Sequence, residues 1–293
     1  MVPRMSLPPG LQRPFERVYD RLLVRADATV RTNPSGRPSE VSWIERLHQL
    51  AAVDLAGDLR AAMSGVGNYS IDVQTAFIHG NPFKVRRAGL LTSAVEIGDV
   101  LFVGEQFDEA GELVQREALL LQMKVGPPTW SRITTSTGQQ AVLYGQWPPI
   151  EWAAAVLRTL PGKHPRIPVP GPCRAAQFAI IPETGPSGHE AMRLRGPAIF
   201  ASHPERLSSE LAAVSRLDIG VDATLVRDEG WPRIVEDMLE RAFQLTYADR
   251  LPRHSMKARS THAEPPSGDG GEARRSGAFA AIVIRVGPQG VLD

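Results

Sequence analysis

Two apolar runs joined by a five-residue turn place the strongest constraint on this fold. Residues 95–107 (VEIGDVLFVGEQF) and 113–125 (LVQREALLLQMKV) are rich in branched and aromatic side chains, and DEAGE at 108–112 separates them. Strand, tight turn and strand make an antiparallel hairpin, so a purely parallel sheet is excluded. With the turn centred near residue 110, position 99 lies opposite about 121, which brings Asp99 within about one residue of Gln122. Gln122 and Lys124 share parity and leave their strand from one face. The neighbouring Ala118, Leu119, Leu120, Leu121 and Met123 are apolar enough for a strand buried on both sides. Polar groups at the end of such a strand need partners.

An acid facing a polar-x-Lys pattern across a hairpin suits a small Mg²⁺ site with an ammonium beside it. The acid and an amide oxygen are hard donors, and the Met123 carbonyl adds a third. Lys124 would orient or deprotonate a water, or stabilise charge building on a phosphoryl group. The same residues also admit a plainer arrangement, an Asp99–Lys124 ion pair that holds a buried strand in register.

The segments Glu96-Ile97-Gly98-Asp99 and Leu119-Leu120-Leu121-Gln122-Met123-Lys124 resemble the PD-(D/E)xK nuclease superfamily. The likeness is closest to the restriction-endonuclease-like branch whose second motif reads Q-x-K, as in methyl-directed type IV restriction enzymes. It covers roughly residues 40–125. It implies a restriction-endonuclease-like core with a central mixed sheet, and Mg²⁺- or Mn²⁺-dependent hydrolysis of DNA in restriction or anti-phage defence. Carried over, Asp99 is the metal-binding acid, Gln122 stands at the acid position of the second motif as a metal ligand, and Lys124 is the catalytic lysine. Glu96 would add a carboxylate to the metal and catalytic set. Gln122 brings no charge where most members have one, so Glu96 or a helix acid such as Glu45 would compensate. Gly98 stands where many members have proline.

The rest of the chain reads as mixed α/β of the α+β kind. Residues 1–39 form an N-terminal arm with a short helix at 15–25. A nuclease-like core spans 40–160: Ser39 caps an amphipathic helix over 40–63, a strand follows at 69–79, the hairpin comes next, and a short helix covers 138–146. Residues 161–251 form a C-terminal α+β elaboration, with a Pro/Gly-dense loop at 161–172, strands at 174–181 and 190–195, and helices at 204–216 and 230–248. The acids of 228–240 read as the solvent face of the last helix. A polar tract, 252–277, reads as a disordered linker, and AFAAIVIRV at 278–286, within the terminal segment 278–293, reads as a strand that docks on the body.

Composition excludes several classes. Lys+Arg number 33 and Asp+Glu 32, a net charge of +1, so no global field steers the chain onto nucleic acid or an anionic membrane. A local basic cluster, Lys84, Arg86 and Arg87, is the candidate contact for DNA phosphates. The single cysteine, Cys173, permits no internal disulfide and no thiolate cluster. There is no signal peptide and no run of membrane-spanning length, so a cytoplasmic protein without a membrane partner is expected. His79, in a strand-end turn, and Gln74 are weaker candidates, and Tyr144, Trp147 and Trp152 read as a packing corner. No P-loop, Rossmann fingerprint, nucleophile elbow or zinc-protease motif occurs. The sequence leaves open the oligomeric state and any defence-system partner. Beside the nuclease stands a second function, a non-catalytic nuclease-like fold used as a binding or assembly module.

Overall fold

The computed structural model describes residues 7–31, 40–67, 69–79, 83–87, 94–125, 135–146, 149–153, 176–181, 190–192, 205–217, 221–223, 230–246 and 277–292. The loop expected at 161–172 and the linker expected at 252–277 (save Gly277) lie outside them, as do Cys173, Trp147 and the side chains of His79 and Arg87.

The chain opens with α1 (Gln12–Arg31), preceded by a 3₁₀ turn. The helix expected over 40–63 comes as α2 (Glu40–Leu50), a π-helical turn at Ala51–Leu55, and α3 (Ala56–Ala62). Strands follow: β1 (Tyr69–His79), β2 (Lys84–Arg87), β3 (Val95–Glu96), β4 (Val100–Phe107) and β5 (Leu113–Val125). After α4 (Thr135–Gln146) come β6 (Ile150–Trp152), β7 (Ala176–Ile181), β8 (Glu190–Met192) and β9 (Glu205–Arg206). The described chain ends with α5 (Leu207–Ser215), β10 (Val221–Asp222), α6 (Gly230–Thr246) and β11 (Ala278–Pro288).

Among the described residues the main sheet runs β1-β11-β4-β5-β7-β8-β9, with β10 also paired to β5. It is mixed: β11 is antiparallel to β1 but parallel to β4, and β7 is parallel to β5. The segment at 278–286 therefore docks, as expected, and it does so inside the sheet. The expected single strand 95–107 is two strands in two sheets. Val95 and Glu96 pair with β2 in a small sheet ordered β3-β2-β6, and the chain crosses at 97–99 into the main sheet. Gly98 allows the crossing, because a Cβ there would lie 2.6 Å from the Leu120 side chain.

Alternate residues of each central strand feed two cores, which is why these strands read as continuous apolar runs. Val100, Phe102, Leu119, Leu121, Ile282 and Ile284 pack under α1, α2 and α5. Leu101, Val103, Leu120, Ala281 and Val283 pack on the other face with Tyr144 of α4, Trp231 and Met238 of α6, and Phe83 and Trp152 of the small sheet. Each fully buried large side chain contributes about 1.5–3 kcal/mol. Of the acids expected on the solvent face of α6, Glu236 and Glu240 are partly exposed, Asp228 and Glu229 lie outside the described residues, and Asp237 is buried, where it accepts a hydrogen bond from Trp152 Nε1 at 2.9 Å and faces Arg233 Nε at 2.8 Å. Trp152 and Tyr144 are buried, as a packing corner requires.

One row of charge crosses four adjacent strands. Asp72 of β1 stands opposite Arg285 of β11, Arg285 opposite Glu105 of β4, and Glu105 opposite Arg116 of β5. Arg116 reaches Glu105 at 2.6 Å and Glu236 of α6 at 2.8 Å, so each charge has an opposite neighbour.

Next to that row, β4 and α5 meet backbone to backbone. A Cβ added at Gly104 would collide with the Val214 carbonyl oxygen, which a flexible neighbour cannot relieve. Gly104→Ala should lower stability by roughly 1–3 kcal/mol. An unchanged denaturation midpoint would show that α5 does not sit this close.

Candidate functional site

The hairpin register decides where the site forms. Val100 pairs with Leu121, and Asp99 N–H donates to the Leu121 carbonyl at 2.8 Å, one residue from the register that the sequence suggests. Asp99 is thereby set beside Gln122. Gln122 Nε2 donates to Asp99 Oδ2, and the Met123 N–H donates to the same oxygen at 2.8 Å. Met123 thus meets Asp99 through its N–H. The Asp99 carbonyl accepts from Ala280 N–H of β11 at 2.9 Å, so both of its backbone groups are held as well.

Lys124 leaves β5 on the same side as Gln122. Its Nζ pairs with Glu40 Oε2 at 3.1 Å, at the first turn of α2. The expected alternative, a dry Asp99–Lys124 pair, is absent among the described ion pairs, although Lys124 is close enough to pull on the Asp99 proton. The helix acid at the site is Glu40 rather than Glu45. Glu96 lies at the same end, 3.9 Å from Lys84 Nζ.

A residue to which the sequence reading gave no role completes the arrangement. Gln140 of α4 donates from Nε2 to Gln122 Oε1 at 2.7 Å and reaches the Glu96 carbonyl at 3.5 Å. One helical turn on, Tyr144 OH donates to the Ile97 carbonyl at 2.7 Å. Two residues of one helix face thus grip the crossing segment that carries Asp99. Their four-residue spacing was a readable signal. An ionised Asp99 can only accept, so it orients the Gln122 amide with its NH₂ inward, and Gln140 secures the other end.

The electrostatics are those of acids gathered out of water. The Asp99 carboxyl is pushed up from 3.8 to about 7, chiefly by burial; Lys124 and the Met123 N–H pull it down, and Glu40 and Glu96 push it up. Burial also raises Glu96, against the pull of Lys84 and Lys124. Tyr144 is driven well above its ordinary range by burial and then by Asp99 and Glu96, so it remains a donor. No group of three or more His, Cys, Asp or Glu side chains that could hold a metal ion occurs among the described residues. Asp99 and Glu96 are nevertheless hard oxygen donors, in a region short of positive charge. That suits Mg²⁺, which keeps several waters and needs few carboxylates.

The basic cluster divides. Lys84 and Arg86 are on the exposed face of β2, while Phe83 and Val85 point into the core. Arg87 ends the strand opposite Ile150. Gln74 is buried, 3.4 Å from Asp72 on the far part of β1. Among the described residues no helix is long and apolar enough to cross a membrane. Comparison of the chain with family models, curated proteins and solved structures returns no match.

The raised Asp99 carboxyl has a measurable consequence. Between pH 4 and pH 7 the folded state holds a proton that the unfolded chain releases, so stability falls as pH rises through that window and levels off above it. In metal-free buffer the contribution of this one group should total roughly 4 kcal/mol. Asp99→Asn should flatten that part of the profile and leave the protein more stable than the parent at pH 8 in denaturant titrations. An equal slope in parent and variant would mean that Asp99 ionises normally.

Proposed function

We propose that this chain is a metal-dependent phosphodiesterase of PD-(D/E)xK type acting on DNA, with a restriction-endonuclease-like core. The observation that supports it is the meeting of Asp99, Gln122 and Lys124 on one side of adjacent strands, with Glu96 and Glu40 beside them. Lys124 pairs with the half-exposed Glu40 instead of Asp99, so the acid and the ammonium do not neutralise each other. In this reading Asp99 and Glu96 hold Mg²⁺ or Mn²⁺. Such an ion would supply Lewis acidity toward a phosphoryl oxygen and a water. Gln122, secured by Gln140, keeps the Asp99 carboxylate oriented. Lys124 Nζ, released from Glu40, donates to the oxygen on which charge builds. In the same reading the exposed Lys84 and Arg86 of β2 would contact phosphates of the DNA. A role in restriction or anti-phage defence follows from the resemblance alone.

One observation favours the second reading, a nuclease-like fold used for binding or assembly. The hydrogen-bond chain from Gln140 through Gln122 and Asp99 to Met123 closes without any ligand.

Plasmid nicking and thermal melts on the same variants separate the two. Lys124→Ala should lower metal-dependent nicking by about two to three orders of magnitude. It should change stability by less than about 1 kcal/mol, because the ion pair it breaks is partly solvated. Asp99→Asn should abolish nicking while raising stability at pH 8. Mn²⁺ should raise the melting temperature of the parent and leave that of Asp99→Asn unchanged. Gln122→Glu sets a second carboxylate beside Asp99 in place of the amide donor, so it should lower stability at pH 8 in metal-free buffer and enlarge the melting shift that Mn²⁺ produces. Unchanged nicking by the Lys124→Ala protein would end the catalytic reading, and melting changes without any nicking in the parent would favour the binding module.

A further inference from the structure

We propose that β11 is a keyed strand: Arg285 reads the slot between β1 and β4, and a pair of carboxylates keeps that slot from closing without it. The inference goes beyond the reading of the site.

Because β11 is antiparallel to β1 and parallel to β4, β1 and β4 run antiparallel to each other. They are suited to pair directly, as strands close in sequence often do. Yet β11 lies between them, and its partners are far away along the chain: Tyr69 pairs with Pro288. Something must keep β1 and β4 available until β11 arrives.

The charge row supplies it. In the register that the sheet holds, Asp72 and Glu105 both stand opposite Arg285 on the same face. Closing the slot in that register would set these two buried carboxylates directly opposite each other. Like charges so placed destabilise a strand pair, and Arg116, which pairs with Glu105 but is shared with Glu236, offsets only part of that. With β11 inserted, Arg285 lies 3.8 Å from Asp72 and 3.6 Å from Glu105. Its guanidinium also sits 4.4 Å from the centre of the Phe107 ring. Every other residue of β11 from Ala278 to Val286 is apolar, so Arg285 alone distinguishes correct insertion by charge.

The strand serves the site as well. Ala280 N–H holds the Asp99 carbonyl, so the residue taken as the metal-binding acid is fully fixed only when β11 is in place. That consequence rests on the functional reading above; the key itself does not.

Hydrogen exchange on the full chain tests the proposal. In the parent, amides of β1, β4 and β11 should open as one unit, since departure of β11 leaves its neighbours with no good alternative. In the Asp72→Asn/Glu105→Gln variant, which keeps Arg285, closing is no longer opposed. There β11 should exchange at least about tenfold faster than β1 and β4. Arg285→Met, which keeps both acids, should lower protection in all three strands together. The proposal is overturned if β11 exchanges ahead of its neighbours in the parent. Equal protection of the three strands in the neutral-pair variant would overturn it too, as would unchanged protection in Arg285→Met. Absence of nicking with the expected exchange pattern would reject the functional reading and leave the key standing.

Discussion

The antiparallel pairing of β4 with β5 fixes the site before any side chain is considered. Once Val100 faces Leu121, Asp99 must stand at Gln122, and parity sends Gln122 and Lys124 to the same side. A slip of one residue would turn Asp99 toward the core under α1 and α2 and exchange the side chains that fill the two cores. The register is held by burial on both faces and by the turn, where Asp108 Oδ1 accepts from Ala110 N–H and Glu112 N–H at 2.9 Å and Gly111 takes a positive φ of 79°. The geometry of the site is thus inherited from packing that serves stability.

The two ends of β4 treat buried charge in opposite ways. At Glu105 acids and guanidinium groups alternate, and every carboxylate has a positive partner. At Asp99 the acids share two lysines that lie to one side, and the Asp99 carboxyl responds by holding its proton toward neutral pH. The first end resembles a structural network, complete in itself. The second is left short of positive charge, a common mark of a site that works with a ligand.

Much of this was legible in the sequence, and the reasons differ by element. The hairpin showed because alternation, strand length and turn chemistry agree, and its predicted register was one residue off. The helix from Glu40 showed through its apolar spacing and the Ser39 cap, and the strand 69–79 through its branched and aromatic residues. What stayed hidden was three-dimensional. The break at 97–99 depends on Val95 and Glu96 pairing with β2 in a second sheet, and nothing in the run 95–107 itself marks that change of sheet. The role of Gln140 depends on α4 lying over the crossing. The acids of α6 looked solvated because helical spacing cannot tell that Trp152 and Arg116 wait on that face. Glu40 was counted as the start of a helix, and only its packing brings it to Lys124.

The place of β11 also bears on time. A chain emerging from the ribosome exposes β1, β4 and β5 well before the strand that separates the first two, so the sheet is built from its most distant contacts last. During that interval Asp99 has the hairpin to hold its N–H but lacks the strand that takes its carbonyl. The carbonyl that anchors Asp99 to the sheet thus gains its partner, Ala280 N–H, only when this last strand is in place.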